Sequence, residues 1–336
     1  MTTSRVRHLE PGEPMPACTP GGVSPIDEDE RQRHAPDRHL LTLNDRAQLT
    51  ARASCWWSAT PAIAGQRVGL VGHYAAADGA SADQVLGAAC AALADAGCTL
   101  AIGPMDGNTW RRYRWIVERG DEPPFFLEPD NPDSAPAEFV RAGFEILATY
   151  TSAISDDSSI EDPRLAAAES RLSARGVRIR PLDRQRARDE LRAIYRLSLD
   201  AFSGNYLYTP IGEDEFLQQN EKALPFVDPD LVLLAERDAA LVGYLFGIPD
   251  VLERARGERI ETFIVKTVAV ASGSGHAGLG SLLVGRAQQL ARAKGYGRVI
   301  HALMHDRNVS RNISRRYART MRRYALYSRR LHGPSS

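Results

Sequence analysis

Residues 268–283 read VAVASGSGHAGLGSLL. An apolar run over 268–270 gives way to a turn carrying Gly273, Gly275, Gly278 and Gly280, and then to the start of a helix. Glycines at this density mark a backbone that takes positive φ or comes very close to something. Beyond the turn, Leu279, Leu282, Leu283, Ala287, Leu290 and Ala291 share one face of a 3.6-residue period. Lys294-Gly295 is a helix C-terminus by composition. Strand, glycine turn and helix in that order point first to phosphate binding. A Walker loop needs Lys-Ser/Thr after its last glycine, and here Gly280 is followed by Ser281-Leu282. A Rossmann turn needs the reverse of the spacing Gly275-x-x-Gly278-x-Gly280. The surviving reading is a row of backbone N–H groups lining a pyrophosphate, backed by the positive end of a helix.

The neighbouring stretches extend the pattern. VRIRPLD (177–183) alternates as a short strand, and 186–202 and 213–224 read as helices. Residues 231–249 form a hairpin turning near Asp238, and 262–270 is expected to be the longest strand. After the helix at 279, RVIHALMH (298–305) is a strand, 310–318 a short helix and 322–331 a last strand. The resulting order is β-α-α-β-β-β-α-β-α-β.

With that order and the glycine turn, residues 177–331 resemble the GNAT superfamily of N-acyltransferases. The family's acyl-CoA motif, Val-x-Pro-x-x-(Arg/Gln)-x-x-Gly-x-(Gly/Ala), aligns with Val270, Gly278 and Gly280. Ser272 stands where the family has Pro, and Gly275 where it has Arg or Gln. Nearby arginines are candidates to replace that contact. Asn308, after the 298–305 strand, matches the family asparagine that approaches the pantetheine arm. The tyrosine expected seven residues later is Arg315, with Tyr317 two further on. The resemblance implies an α/β fold with a mixed sheet and acetyl-CoA held by Val268, Val270, Gly275, His276, Ala277, Gly278, Leu279, Gly280 and Ser281, with Asn308. It implies direct attack of a neutral amine on the thioester, an oxyanion held by a backbone N–H near 268–270, and a leaving thiolate protonated by Tyr317. Glu261 is the candidate base. Lys266 and Thr267 lie near the expected reaction centre. Ser272, Ser274 and Ser281 are candidate donors to phosphate oxygens. His73, His301 and His305 read as packed or solvated.

The first part of the chain repeats the theme faintly. RVGLVGHYAA (67–76), the helical stretch 81–97, TLAIGPM (99–105), the helical 134–144 and EILATYTSAI (145–154) match the second part's later elements. Val71 to Gly97 spans 26 positions and Val270 to Gly295 spans 25, the mark of a tandem duplication. The corresponding loop HYAAADGAS has no Gly-x-Gly, so this copy is expected to be degenerate. GPMDGNTWRRYR (103–114) and PPFFLEPDNP (123–132) read as a pocket wall or as a loop between the halves. The expected organisation is a disordered tail at 1–40, rich in Pro, Gly and charge, and a degenerate GNAT-like domain at 41–158. A linker at 159–175 and the GNAT domain at 176–332 follow.

Composition narrows the functional class. The chain has 336 residues, 43% hydrophobic and 25% charged, with no net charge. Cys18, Cys55, Cys90 and Cys98 lack metal or disulfide spacing, no apolar run suits a membrane span, and MTTSRVRHLEPGEPMPACTPGG lacks a signal-peptide core. A cytoplasmic protein without metal is expected. Residues 307–330 hold nine arginines and no acid, while 121–162 is acidic. A solvated surface paired with the acidic half is expected first, a nearby phosphate-bearing ligand second and nucleic-acid binding last, since little aromatic stacking surface accompanies the arginines. The leading reading is an N-acetyltransferase for a small amine or amino-acid-like acceptor, with a homodimer as an expected assembly. The competing readings are a non-catalytic CoA-binding or scaffold protein and a tandem aminoacyltransferase that uses tRNA.

Overall fold

The computed structural model describes residues 5–9, 13–16, 22–156, 164–306 and 318–331. The first half contains β1 (Arg5–Leu9), α1 (Glu28–His34), β2 (Arg38–Leu43), β3 (Leu49–Trp56), β4 (Val68–Ala76), α2 (Gly79–Asp95), β5 (Leu100–Gly103), β6 (Trp115–Glu118), α3 (Ala135–Arg141) and β7 (Glu145–Ser155). The second contains α4 (Arg164–Ala174), β8 (Arg178–Pro181), α5 (Ala187–Ala201), α6 (Glu213–Glu221), β9 (Val232–Arg237), β10 (Ala240–Pro249), α7 (Val251–Ala255), β11 (Thr262–Val270), α8 (Leu279–Ala293), β12 (Arg298–His305) and β13 (Arg319–Arg330).

The strands form one mixed sheet in the order β1-β2-β3-β4-β5-β13-β7-β12-β11-β10-β9-β8, with β6 also on β13. The order is the same from either end. Each half is an antiparallel run whose fourth and fifth strands, β4/β5 and β11/β12, are parallel across a helix. The two copies exchange their last strands. β7, from the first half, pairs with β12, and β13, from the second, pairs with β5. β7 and β13 then pair with each other at the centre, from Arg319↔Ile154 to Ser328↔Glu145. Both are longer than 262–270, which is therefore not the longest strand.

Side-chain alternation builds the layers of the second half. Leu234, Tyr244, Ile264 and Ile300 face α5 and α6, while Leu233, Leu245, Phe263 and Val299 face α8. Neighbouring residues on each strand thus serve opposite cores. In the first half α2 covers Leu40, Ala53, Cys55 and Val71. Cys55, Cys90 and Cys98 are buried free thiols.

Two boundaries are corrected. The stretch 1–40 is not a bare tail. β1 pairs along β2, and α1 is capped by Asp27 at one end and by Ala35 in the left-handed region at the other. Charge-rich composition hid an edge strand and a short capped helix. Within 159–175, α4 is a packed helix rather than a linker. Leu172 is fully buried in the α8 core, and Leu165 fits so tightly that a Cβ on Gly285 would come within 2.2 Å of it. The expected helix at 310–318 lies outside the described residues, apart from its last residue. No described helix is long and apolar enough to cross a membrane.

Candidate functional site

The parallel ladder between β11 and β12 is short. It runs from Thr262↔Arg298 to Val265↔His301 and stops, although β11 continues to Val270 and β12 to His305. A bulge on each strand drives them apart. Lys266 is the extra residue between Val265 and Thr267 where β11 pairs with β10. On the other side, the β12–β7 register slips between His301 and Met304, and Leu303 takes φ +59°. Side chains of the first half hold that second bulge. Ser152 Oγ accepts the Leu303 N–H at 3.0 Å, and Arg114 donates to the Leu303 carbonyl at 3.2 Å. Arg114 itself lies over Tyr113 and Tyr150, at 3.8 and 4.2 Å from their ring centres.

The glycine turn closes the parted end. Gly278 caps α8 at φ +87°, and no side chain caps that terminus. The first bond within the helix runs from Leu282 N–H to Gly278 O. The amides of Leu279, Gly280 and Ser281 precede it, at the helix's positive end. A Cβ on Gly280 would meet only Val270 Cγ2 at 3.7 Å and Val268 Cγ1 at 3.8 Å. The protein's own packing therefore leaves at Gly280 a space that a side chain would fill. His276 is 8% exposed, its Nδ1 lacks a partner, and burial holds its pKa down. Arg171 donates to the Ala277 carbonyl at 2.9 Å and Arg175 to that of Gly275 at 3.3 Å. Arg237 Nη1 lies 3.2 Å from the place of a Gly275 Cβ. Three guanidinium groups thus surround a turn whose own sequence lacks the motif's Arg or Gln. Amides, guanidinium groups and an orphaned imidazole nitrogen suit a phosphate-bearing ligand.

Of the residues singled out in the sequence, Val268, Val270, His276, Gly278, Gly280 and Ser281 border one cleft of about 2110 Å³. Gly275 and Ala277 form the outer side of the turn. The Leu279 side chain is fully buried in the core, so only its amide can serve a ligand. Asn308 and Tyr317 lie outside the described residues. Glu261 is not brought to this cleft. It is exposed at the opposite end of β11, with its N–H on Glu253 Oε2. Five residue steps along the strand separate it from Lys266, about 16 Å.

Sequence reading pointed to the loops of the opposite wall but not to the roles of their residues. The stretches 109–114 and 127–130 line the cleft and also pack between the halves, so both readings of these loops hold. Glu128 is fully buried against Arg322 at 2.7 Å and also accepts from the Tyr324 hydroxyl. Tyr324 shares a 3.0 Å hydrogen bond with Ser152. Lys266 is half-buried, and its Nζ donates to the Leu127 carbonyl at 2.6 Å. Burial, and then the charge of Arg114, bring its pKa down to about 7. His301, buried at the last rung of the ladder, is held neutral, with a pKa of about 4. These contacts join residues more than a hundred positions apart, so no local motif announces them.

The first half has the same parallel pair but no such opening. Met105 N–H donates to Val71 O at 2.9 Å, and His73 N–H donates to Asp106 at 2.5 Å, stitching the following loop to β4. A Cβ on Gly72 would come within 2.2 Å of Met105 O. The N-terminus of α2 is capped by Asp78, whose carboxylate occupies the place an anion would take. Among the described residues, Glu30, His34 and His73 bring ligand-type atoms within 4.8 Å of one another. His34 Nδ1 and His73 Nε2 are 2.7 Å apart with ring centres at 5.0 Å and planes 20° apart. The two rings meet head-on across a shared proton, a geometry that does not aim both lone pairs at a cation.

Two solved structures share this architecture. One is a GCN5-related glucosamine N-acetyltransferase region of a fungal multi-domain enzyme, with TM-score 0.53, 14% identity, and 98% of this chain and 38% of that one covered. The other is a GCN5-related N-acetyltransferase from Anabaena variabilis, with TM-score 0.52, 10% identity, and 91% and 66% covered. The fold is that of the GCN5-related N-acetyltransferases, repeated in tandem. No family model matches the GNAT-fold chain. By sequence it is 25% identical over 190 residues to Protein YghO of Escherichia coli, covering 54% of this chain and 48% of that protein. It is 28% identical over 158 residues to a bacterial ceramide synthase of Caulobacter vibrioides, covering 47% and 41%. The aligned parts make up less than half of each of these curated relatives.

Proposed function

We propose that this chain transfers an acyl group from acyl-CoA to an amine, forming an amide. The observation that carries the reading is the parted β11/β12 pair ending on an uncapped helix N-terminus behind the glycine turn. The first half has the same strands and helix with both features closed. A strand-like pantetheine arm suits the parted edges, and the amides of Leu279, Gly280 and Ser281, with Arg171, Arg175 and Arg237 around them, suit its phosphates.

The donor, when bound, supplies an activated carbonyl and a thiolate leaving group. The protein's residues supply the rest. Neutral Lys266 takes a proton from the incoming ammonium. The freed amine forms the C–N bond, and a backbone N–H near 268–270 meets the developing oxyanion. The C–S bond breaks, the thiolate takes the proton held by Lys266, and the new amide nitrogen gives up its second proton to water. Glu30, Asp130 and Glu215 also border the cleft, beside Arg33, Arg111 and Arg112, with Glu215 paired to Arg111 at 2.6 Å and Asp130 to Arg119 at 2.8 Å. The name of the Caulobacter relative also denotes amide formation, between a fatty acyl group and an amine base. That widens the acyl group beyond acetyl and the acceptor beyond small metabolites.

The test is incubation with acyl-CoA donors and a panel of primary amines, reading thiol release and amide mass together. Amide in proportion to thiol supports acyl transfer. CoA binding with no amide from any pairing makes this a CoA-binding protein instead.

A further inference from the structure

The cleft is more than twice the size of the usual small-molecule site, which runs to about 1,000 Å³. Part of it is the groove assigned to CoA, and the rest exceeds what an acetyl group and a small amine fill. Its two ends differ in chemistry. The orphaned polar atoms on its lining, His276 Nδ1 and Arg114 Nε, sit at the glycine turn and at the parted strands. The arm beneath α5 and α6 is bordered by buried Leu182, Leu191, Ile194, Val227, Val232 and Tyr244. The arm's hydroxyl groups are spent within the protein. Tyr244 and Ser198 share a 2.8 Å hydrogen bond, and Ser198 also bonds the Ile194 carbonyl at 2.7 Å. The buried part of this arm offers a ligand apolar surface, while Gln218, Gln219 and Lys222 of the same lining are exposed. Its opposite mouth is also greasy: Leu127, Ile146 and Tyr206, three of the five large hydrophobic side chains exposed among the described residues, stand on the rim.

We infer that the donor carries a long aliphatic acyl chain, which lies in the arm beneath α5 and α6. The inference rests on the acyl-transfer reading and adds the class of acyl group. The donor is the occupant because this buried apolar lining belongs to the same cleft as the parted strands, where the thioester sits. The acceptor's ammonium is poorly suited to a buried apolar lining.

The experiment is a calorimetric series with CoA, acetyl-CoA and the butanoyl, octanoyl and dodecanoyl thioesters, all below their micelle concentrations. Each methylene buried strengthens binding by up to about fourfold, so dodecanoyl-CoA is expected to bind at least about 30-fold tighter than acetyl-CoA. Ile194→Trp, which fills the arm, is expected to flatten the rise beyond four carbons. The wild-type series stands by itself if that variant does not fold. Equal affinity for all the thioesters, with CoA itself bound, overturns the inference and leaves acyl transfer intact. Affinity that climbs instead with the length of an alkylamine acceptor assigns the arm to the acceptor and also overturns it. No binding of CoA or any thioester sinks the acyl-transfer reading together with the inference.

Discussion

Gly278 and Gly280 look alike in the sequence, two glycines of one motif, yet they are glycine for different reasons. Gly278 holds φ +87° and a Cβ there would press on Arg171 at 3.1 Å, so the backbone demands it. Gly280 is helical and has room for a Cβ, so only a ligand demands it. Gly278→Ala should therefore cost about 1–2 kcal/mol in chemical denaturation, whereas Gly280→Ala should hold or gain up to about 1 kcal/mol. Equal losses at both would show that the space at Gly280 belongs to the fold. Lys266 carries the second prediction at this scale. With a pKa near 7 it is protonated below that pH and able to accept a proton above it. The kcat/KM for the amine should rise through about pH 7 in the wild type, and Lys266→Gln should remove that limb and lower the plateau by about 100-fold. An unchanged pH profile in the variant would take Lys266 out of the proton path. The motif glycines and Lys266 were legible from their neighbours in the chain. Glu128, Arg114 and Ser152 were not, because their roles arise only where β7 and β13 cross between the halves.

At the scale of elements, α2 and α8 are the same helix used in two ways. Both follow the fourth strand of a half and lead into the parallel fifth. One ends on Asp78 and the other on bare amides. Asp78→Ala should cost about 1 kcal/mol of stability with no change in CoA affinity, measured by denaturant unfolding and calorimetry on the same samples. A loss of CoA affinity would mean that the first half takes part in binding. α8 announced itself through a regular apolar stripe and a clean stop. β3 did not, because it is buried along both faces and carries Ala51, Ala53, Ser54 and Cys55 rather than an alternating pattern. α1 was hidden by a wholly polar sequence whose helical state depends on its caps.

For the whole molecule, the strand exchange decides how the halves cooperate. The arginine-rich end of the chain meets the acidic stretch across it: Arg319 pairs with Glu122 and Asp156 and Arg322 with Glu128, while Arg323 pairs with Glu118 just ahead of that stretch. Three of the five arginines of residues 318–331 are thus matched by acids inside one chain, and Arg329 donates to the Ala142 carbonyl. Arg322–Glu128 is the pair with no exposure at either side chain. Removing one member leaves a buried charge, so Glu128→Gln should destabilise the protein by about 3–5 kcal/mol, and adding Arg322→Met should recover part of that. A loss below about 1 kcal/mol in the single variant would mean that the pair is solvated and does not lock the halves. The sequence period revealed the duplication but not the exchange, since neither β7 nor β13 carries any mark of which copy it joins.

The most direct measurement is calorimetric titration of CoA into the wild-type protein and into Gly280→Glu, with thermal unfolding of both. A CoA site at the glycine turn predicts binding by the wild type, a loss of at least about 30-fold in the variant from charge repulsion at the helix end, and melting temperatures that agree. Unchanged CoA affinity in a folded Gly280→Glu protein, or no binding by the wild type, would contradict it.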